Sequence, residues 1–217
     1  MFSHITSLSS AICIGSVLAI APEIIPGFRI IWSDDFKSST LREENWGYFT
    51  DPPYNNEQQT YAKEGNNCRL SSSHSLFIIP EKKDGHWTSC RLESKPHFEA
   101  KVGGQIIVQA RLKFGQAGAN LQGIWPAFWS LGEAIRHGVS WPACGEIDTV
   151  ENVNGESLGY GTAHCNEIAW NSIAHEGMFI ILNVAVGGDW PGKVVAETVS
   201  GEAASMEVQY VAVYESE

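Results

Sequence analysis

Apolar and polar residues alternate over short runs through most of the chain, and no long stretch holds the 3.6-residue period of an amphipathic helix. Phe28-Arg29-Ile30-Ile31-Trp32, Ser75-Leu76-Phe77-Ile78-Ile79 and Gly104-Gln105-Ile106-Ile107-Val108-Gln109-Ala110-Arg111 are β-branched and aromatic runs bounded by Gly, Asn, Asp, Ser or Pro. Each predicts a strand. Further on, residues 144–151 and 159–165 predict a hairpin with Asn152 to Leu158 as its turn. Short strands separated by turns, in a chain punctuated by 21 glycines, predict an all-β sandwich. At 217 residues with no internal repeat, the chain is long enough for one domain with a sizeable core.

One predicted strand differs from the rest. Gly145-Glu146-Ile147-Asp148-Thr149-Val150-Glu151 carries three carboxylates between apolar residues. Strand side chains alternate faces, so Glu146 and Asp148 share a face with Ile147 on the other. Regular alternation sends Glu151 to the wrong side; a β-bulge near Thr149-Val150 restores the phase and gathers all three. The two glutamates are then about 13 Å apart between Cα atoms. Side chains leaning together can close that to the roughly 5–5.5 Å that a retaining glycosidase needs between its carboxyl groups. The competing reading is a solvated acidic strand. Tryptophans nearby weigh against it: Gly123-Ile124-Trp125-Pro126-Ala127-Phe128-Trp129-Ser130-Leu131-Gly132 and Trp141-Pro142-Ala143-Cys144 lie just upstream. Indole faces stack on the apolar faces of sugars. Trp129 and Trp141 are the stacking candidates, and Trp125 is assigned to the core.

A formal net charge of −11 disfavours nucleic acid and anionic membrane as partners and suits a neutral polymer. There is no CxxC, no phosphate-cradling glycine loop and no His pair at ligand spacing, so no cofactor or metal is expected. Residues 1–21 are almost uncharged, with an apolar run from Ala11 to Ala21 broken only by Gly15 and Ser16. They are too short to span a bilayer and resemble a signal peptide, although the positive leader is missing. A buried N-terminal strand or a membrane anchor is the other reading. A secreted, monomeric protein, free of the membrane after cleavage, is expected. Cysteine usage fits export: with Cys13 removed, Cys68 with Cys90 and Cys144 with Cys165 each bracket a hairpin-like unit. Those two bridges are expected, with buried free thiols as the alternative.

The segments GIWPAFWSLG, WPACGEIDTVE, Gly161-Thr162-Ala163-His164-Cys165 and Ile181-Leu182-Asn183-Val184-Ala185-Val186-Gly187-Gly188 together resemble glycoside hydrolase family 16, in its fungal laminarinase or endo-1,3(4)-β-glucanase form. Asn55-Asn56-Glu57-Gln58-Gln59-Thr60-Tyr61, Thr88-Ser89-Cys90-Arg91 and Met206 to Tyr214 extend the resemblance, from about Trp32 almost to the end. It implies a concanavalin-like jelly-roll β-sandwich over residues 22–217, with the acidic strand on a concave substrate cleft. It implies a retaining endo-β-glucanase acting on β-1,3 or mixed β-1,3/1,4-glucan. Glu146 would be the nucleophile, Glu151 the acid/base, and Asp148 the partner that tunes the charge around Glu146. His164 would face the cleft near Glu151, and Arg91, Glu57 and Asn56 would line it.

In one place the chain departs from that pattern. The family normally threads several more strands between the GTAHC segment and the later Leu-Asn-Val-Ala-Val-Gly-Gly motif; here only Asn166 to Ile180 intervene. Missing strands would leave exposed sheet edges and an incomplete cleft. A non-catalytic β-glucan-binding, lectin-like domain is therefore the alternative from a different class, and a cell-wall transglycosylase a third reading.

Overall fold

Two antiparallel sheets stack face to face in the computed structural model, which describes residues 21–165 and 176–217. The outer sheet consists of β1 (Phe28–Asp34), β4 (Cys68–Leu70), β5 (Leu76–Ile78), β9 (Ile106–Phe114) and β14 (Met206–Ser216). Its spine is β14, paired with β1 and β5 along one side and with β9 along the other. The inner sheet consists of β2 (Trp46–Tyr48), β8 (Arg91–Ser94), β10 (Ile124–Gly132), β11 (Glu146–Glu151), β12 (Tyr160–His164) and β13 (Met178–Val186), in the spatial order β12-β11-β10-β13-β8-β2. A small third sheet joins β3 (Gln59–Tyr61), β6 (Glu81–Lys83) and β7 (His86–Ser89). The fold is the all-β sandwich expected from the pattern and the jelly roll that the resemblance implies. The three leading strand runs and the 144–165 hairpin fall within two residues of β1, β5, β9, β11 and β12, apart from a longer C-terminal end on β9.

Alternation explains why the sheets stack. Ile180, Leu182, Val184 and Val186 of β13 and Ile124 and Phe128 of β10 point inward, against Val208, Val211 and Val213 of β14 and Leu76 and Ile78 of β5. All are at most 2% exposed, and each such aliphatic side chain contributes about 1.5–3 kcal/mol by leaving water. The opposite row of β13, Phe179, Ile181, Asn183 and Ala185, is buried as well, because it floors the cleft. Gly132 ends β10 where the chain before β11 crosses it: a Cβ there would lie 1.8 Å from the Cys144 carbonyl oxygen.

The cysteine expectations divide. Cys68 and Cys90 are bonded, but Cys144 and Cys165 are free thiols, which corrects the second bridge. Cys144 is turned into an apolar cluster with Leu131, Ala134, Phe179 and Ile181, while Cys165 is exposed beyond the end of β12. Flanking a hairpin therefore did not bring the two sulfurs together. The expected signal segment, except for Ala21, and most of the shortened 166–180 stretch lie outside the described residues. Among the described residues no helix is long and apolar enough to cross a membrane.

Candidate active site on the concave sheet

Strand β11 carries the bulge that its sequence demands. Against β10, Phe128 pairs with Val150 and Trp129 with Asp148, so Thr149 is the extra residue. Against β12, the register breaks over the same interval. The bulge resets the alternation, and Glu146, Asp148 and Glu151 all turn toward the cleft while Val150 packs on the core. Asp148 and Glu151 are 6% and 9% exposed. These are not solvated surface carboxylates.

Burial sets the electrostatics. It pushes Glu146 up to about 7, with the Glu151 charge adding to the effect and the Arg91 cation opposing it. Burial, then the Glu146 charge, pushes Asp148 up to about 6 against the pull of His164. Glu151 is pushed up to about 7 by burial and by Asp148, and is held down by a hydrogen bond from Trp125. Protons are thus shared across the trio near neutral pH, and the neighbours make its ends unequal. Glu146 feels a guanidinium, which favours the carboxylate; Glu151 receives a neutral N–H, a weaker bias toward ionisation.

His164 lies opposite Glu146 in the β11–β12 register. Its Nε2 is 3.2 Å from Asp148 Oδ2 and 3.7 Å from Glu146 Oε1. Its direct contacts are therefore with Asp148 and Glu146, and its charge also acts on Glu151, favouring the carboxylate there. Glu146, Asp148 and His164 bring three potential ligand atoms within 4.8 Å of one another; all three already contact one another within the carboxylate cluster.

Arg91 is 7% exposed. Its Nε and Nη2 donate to Glu93 Oε1 at 3.0 and 2.6 Å. Its guanidinium lies 4.2 Å from the Phe49 ring centroid and 4.9 Å from that of Trp129, clamped between two π faces. Trp129 Nε1 donates to Asn183 Oδ1 at 2.7 Å, and Asn183 Nδ2 donates to the Tyr61 hydroxyl at 3.1 Å. Tyr61 in turn donates to Glu57 Oε2 at 3.3 Å, beside a 2.6 Å bond from Gln59 Nε2. Burial raises the Glu57 carboxyl. Glu57 is thus joined to Trp129, against which Arg91 stacks, through a polar chain that ties the loop before β3 to the cleft floor. Asn56 is exposed and donates to Asp189 at 2.9 Å. It stands at the rim, tied to a turn, and is not aimed at the trio.

Trp141 is 55% exposed, its ring 5.8 Å from that of His164. Trp125 corrects the core assignment. Nine consecutive residues of β10 pair without a break against β13, so 125 and 129 share the cleft face. Trp125 Nε1 donates to Glu151 Oε1 at 2.9 Å. Its ring meets the edge of Trp190 at 5.4 Å, and Trp190 meets Tyr160 at 5.0 Å. Sequence reasoning missed Trp190, Tyr160, Asn183, Tyr61 and Glu93. Trp190 had a usable signal, since an aromatic within Gly187-Gly188-Asp189-Trp190-Pro191-Gly192 follows a buried strand in a turn. Gly188, at φ +119°, allows that turn to lie against Asn55 and Glu57, where a Cβ would meet Asn55 O at 3.1 Å.

Fold and site define a carboxylate trio on the aromatic-lined concave face of a jelly roll. Comparison with known proteins agrees. A family model described as "XgeA-like, catalytic GH16 domain" matches residues 48–176. The clotting factor G alpha subunit of Tachypleus tridentatus is 26% identical over 253 residues, covering 88% of this chain and 34% of that protein. That alignment is longer than this chain's 217 residues, so the relative carries residues with no counterpart here. The keratan-sulfate endo-1,4-beta-galactosidase of Sphingobacterium multivorum is 31% identical over 144 residues, covering 63% of this chain and 32% of that protein. The chain thus spans about a third of the length of these two curated relatives. Among solved structures, the endo-1,3-beta-glucanase of Streptomyces sioyaensis superposes with a TM-score of 0.83 at 25% identity, covering 90% of this chain and 99% of that one. The chain belongs to glycoside hydrolase family 16.

Proposed function

We propose that the concave cleft is the active site of a secreted, retaining endo-β-glucanase acting on β-1,3 or mixed β-1,3/1,4-glucan. The observation that carries this is the Thr149 bulge, which sets Glu146, Asp148 and Glu151 on one buried face among Trp125, Trp129, Trp141 and Trp190. Glu146, biased toward the carboxylate by Arg91, attacks the anomeric carbon. Glu151 donates its proton to the departing glycosidic oxygen as the C–O bond breaks, leaving a covalent glycosyl-enzyme. Glu151, now ionised, takes a proton from an incoming water, whose oxygen attacks the anomeric carbon and frees Glu146. Asp148, held by His164, keeps negative charge next to both glutamates and so opposes early loss of the Glu151 proton. The aromatic side chains stack on pyranose faces. The Cys68–Cys90 bond supports an oxidising compartment, as does the apolar Ala11–Ala21 run ahead of the domain.

The test is reducing-end release from laminarin and lichenan by the purified protein, with Glu146→Gln as control. Release that vanishes in the variant supports the glucanase. No release from folded protein that still binds laminarin refutes it in favour of a binding domain. Products lengthened by an added acceptor would reassign it as a transglycosylase.

A further inference from the structure

Among the described residues the outer sheet ends at β9, whose ladder runs only to β14, from Ile106 opposite Glu215 to Phe114 opposite Met206. Every residue of β9 is at least partly exposed, whereas eight of the nine in β13 are buried. The inward row of β9 packs on the core incompletely. A groove of about 730 Å³ opens along this side, lined in part by Val108, Ala110, Leu112, Phe128, Thr149 and Val150. Ile147, on the core side of β11, is 39% exposed. Among the described residues the sandwich is therefore open here. Two cations, Arg111 and Lys113, stand on the outer face of β9, but the strand has no proline and no inward charge, and the register shift of this pair falls at Gln209 on β14.

We infer that this edge is an interface between two copies of the chain, joined β9 to β9 in antiparallel fashion about a two-fold axis at Ala110. The sequence of β9 is complementary to itself in that register, which pairs all nine residues. On the core side, Ile106 faces Phe114 of the second copy, Val108 faces Leu112, and the small Ala110 faces itself at the axis. On the outer side, Gln109 faces Arg111 and Ile107 faces Lys113. A one-residue slip would set the apolar row against the polar one. No like charges stand directly opposed. In a chain of net charge −11, the charged residues of this strand are both cations, and the carboxylates that line the same groove, Glu23 and Glu207, lie off the strand itself. The contact is isologous and closes at two copies, joining the two open cores. It lies on the outer sheet, away from the cleft face, and replaces the monomer expected from sequence.

Sedimentation velocity on the purified protein over a wide concentration range is the test, with two substitutions at Gln109. Gln109 accepts hydrogen bonds from the Tyr210 and Tyr214 hydroxyls at 3.0 Å each, and Gln109→Glu keeps that acceptor while setting a carboxylate opposite each Arg111. Gln109→Arg sets guanidinium groups in opposition instead. A discrete dimer is expected. Gln109→Glu tightens it and Gln109→Arg loosens it, with dissociation constants differing by roughly tenfold and activity per cleft unchanged. Melting curves establish that each variant is folded; should Gln109→Arg fail to fold, the comparison of Gln109→Glu with wild type still decides. A monomer at every concentration, open-ended oligomers, or a Gln109→Glu dimer no tighter than wild type overturns the inference.

Discussion

Replacing Trp125 by Phe tests the assignment of Glu151 as the acid, because it removes one hydrogen bond and little else. The indole N–H donates to Glu151 Oε1 at 2.9 Å. That bond favours the carboxylate and holds the Glu151 pKa below the value burial and Asp148 would otherwise set. A hydrogen bond to a charged group contributes about 1.5–3 kcal/mol, and one pKa unit corresponds to about 1.36 kcal/mol. Allowing for solvent in an open cleft, the shift is about one unit. Glu151 must be protonated to cleave, so it sets the basic limb of the kcat/KM profile. From a limb near the wild-type value of about 7, Trp125→Phe moves the midpoint up by about one unit. Phe keeps an aromatic face against Trp190, so any loss of sugar stacking lowers kcat/KM equally at every pH and leaves the midpoint alone. The assay is kcat/KM on laminarin from pH 5 to 9. A basic limb that stays in place or moves to lower pH refutes the reasoning.

Asp148→Asn has the opposite sign: losing the charge that raises Glu151 shifts the basic limb to lower pH, read from the same profile. Glu151→Gln lowers laminarin hydrolysis by about 10²- to 10⁴-fold. With aryl glucosides whose leaving group needs no proton it spares the first step alone, so the chromophore appears as a burst of about one per site followed by slow release as the glycosyl-enzyme accumulates. Asn183→Leu leaves the Trp129 N–H without its acceptor and the Tyr61 hydroxyl with only its bond to Glu57. At about 1–3 kcal/mol for a buried unsatisfied group, it lowers the melting temperature, and the displaced Trp129 ring raises KM more than it lowers kcat.

Features governed by neighbours along the chain were legible in the sequence. The bulge at Thr149 follows from two facts, that Glu146 and Glu151 are five residues apart and that Val150 must reach the core. Trp125 was misread because 125 and 129 share a face only if nothing breaks the alternation between them; in the sheet, β10 runs unbroken against β13. What stayed hidden depends on contacts far apart in sequence. Asn183 anchors Trp129 from 54 residues away, and neither residue type announces the other. Nor does hairpin spacing say which way a thiol points, and Cys144 found an apolar cluster before it found Cys165.

Among the described residues, the open side of the sandwich and the cleft are mechanically separable. Orientation of the trio depends on β11, and β11 takes its register from β10, which is itself locked to β13 along its full length and through it to β8. The side chains that tune the trio hang on the same framework: Trp125 and Trp129 on β10, Asn183 on β13, Arg91 on β8. Only His164 and Tyr160 come from β12, the last strand on the open side. A sandwich open beyond β9 therefore exposes core surface under Val150 and Ile147 but leaves the supports of Glu146 and Glu151 in place. On that geometry, an uncovered β9 side weakens the fold and the β12 wall before it weakens the chemistry. Covering β9 with a second copy restores stability without touching a catalytic side chain.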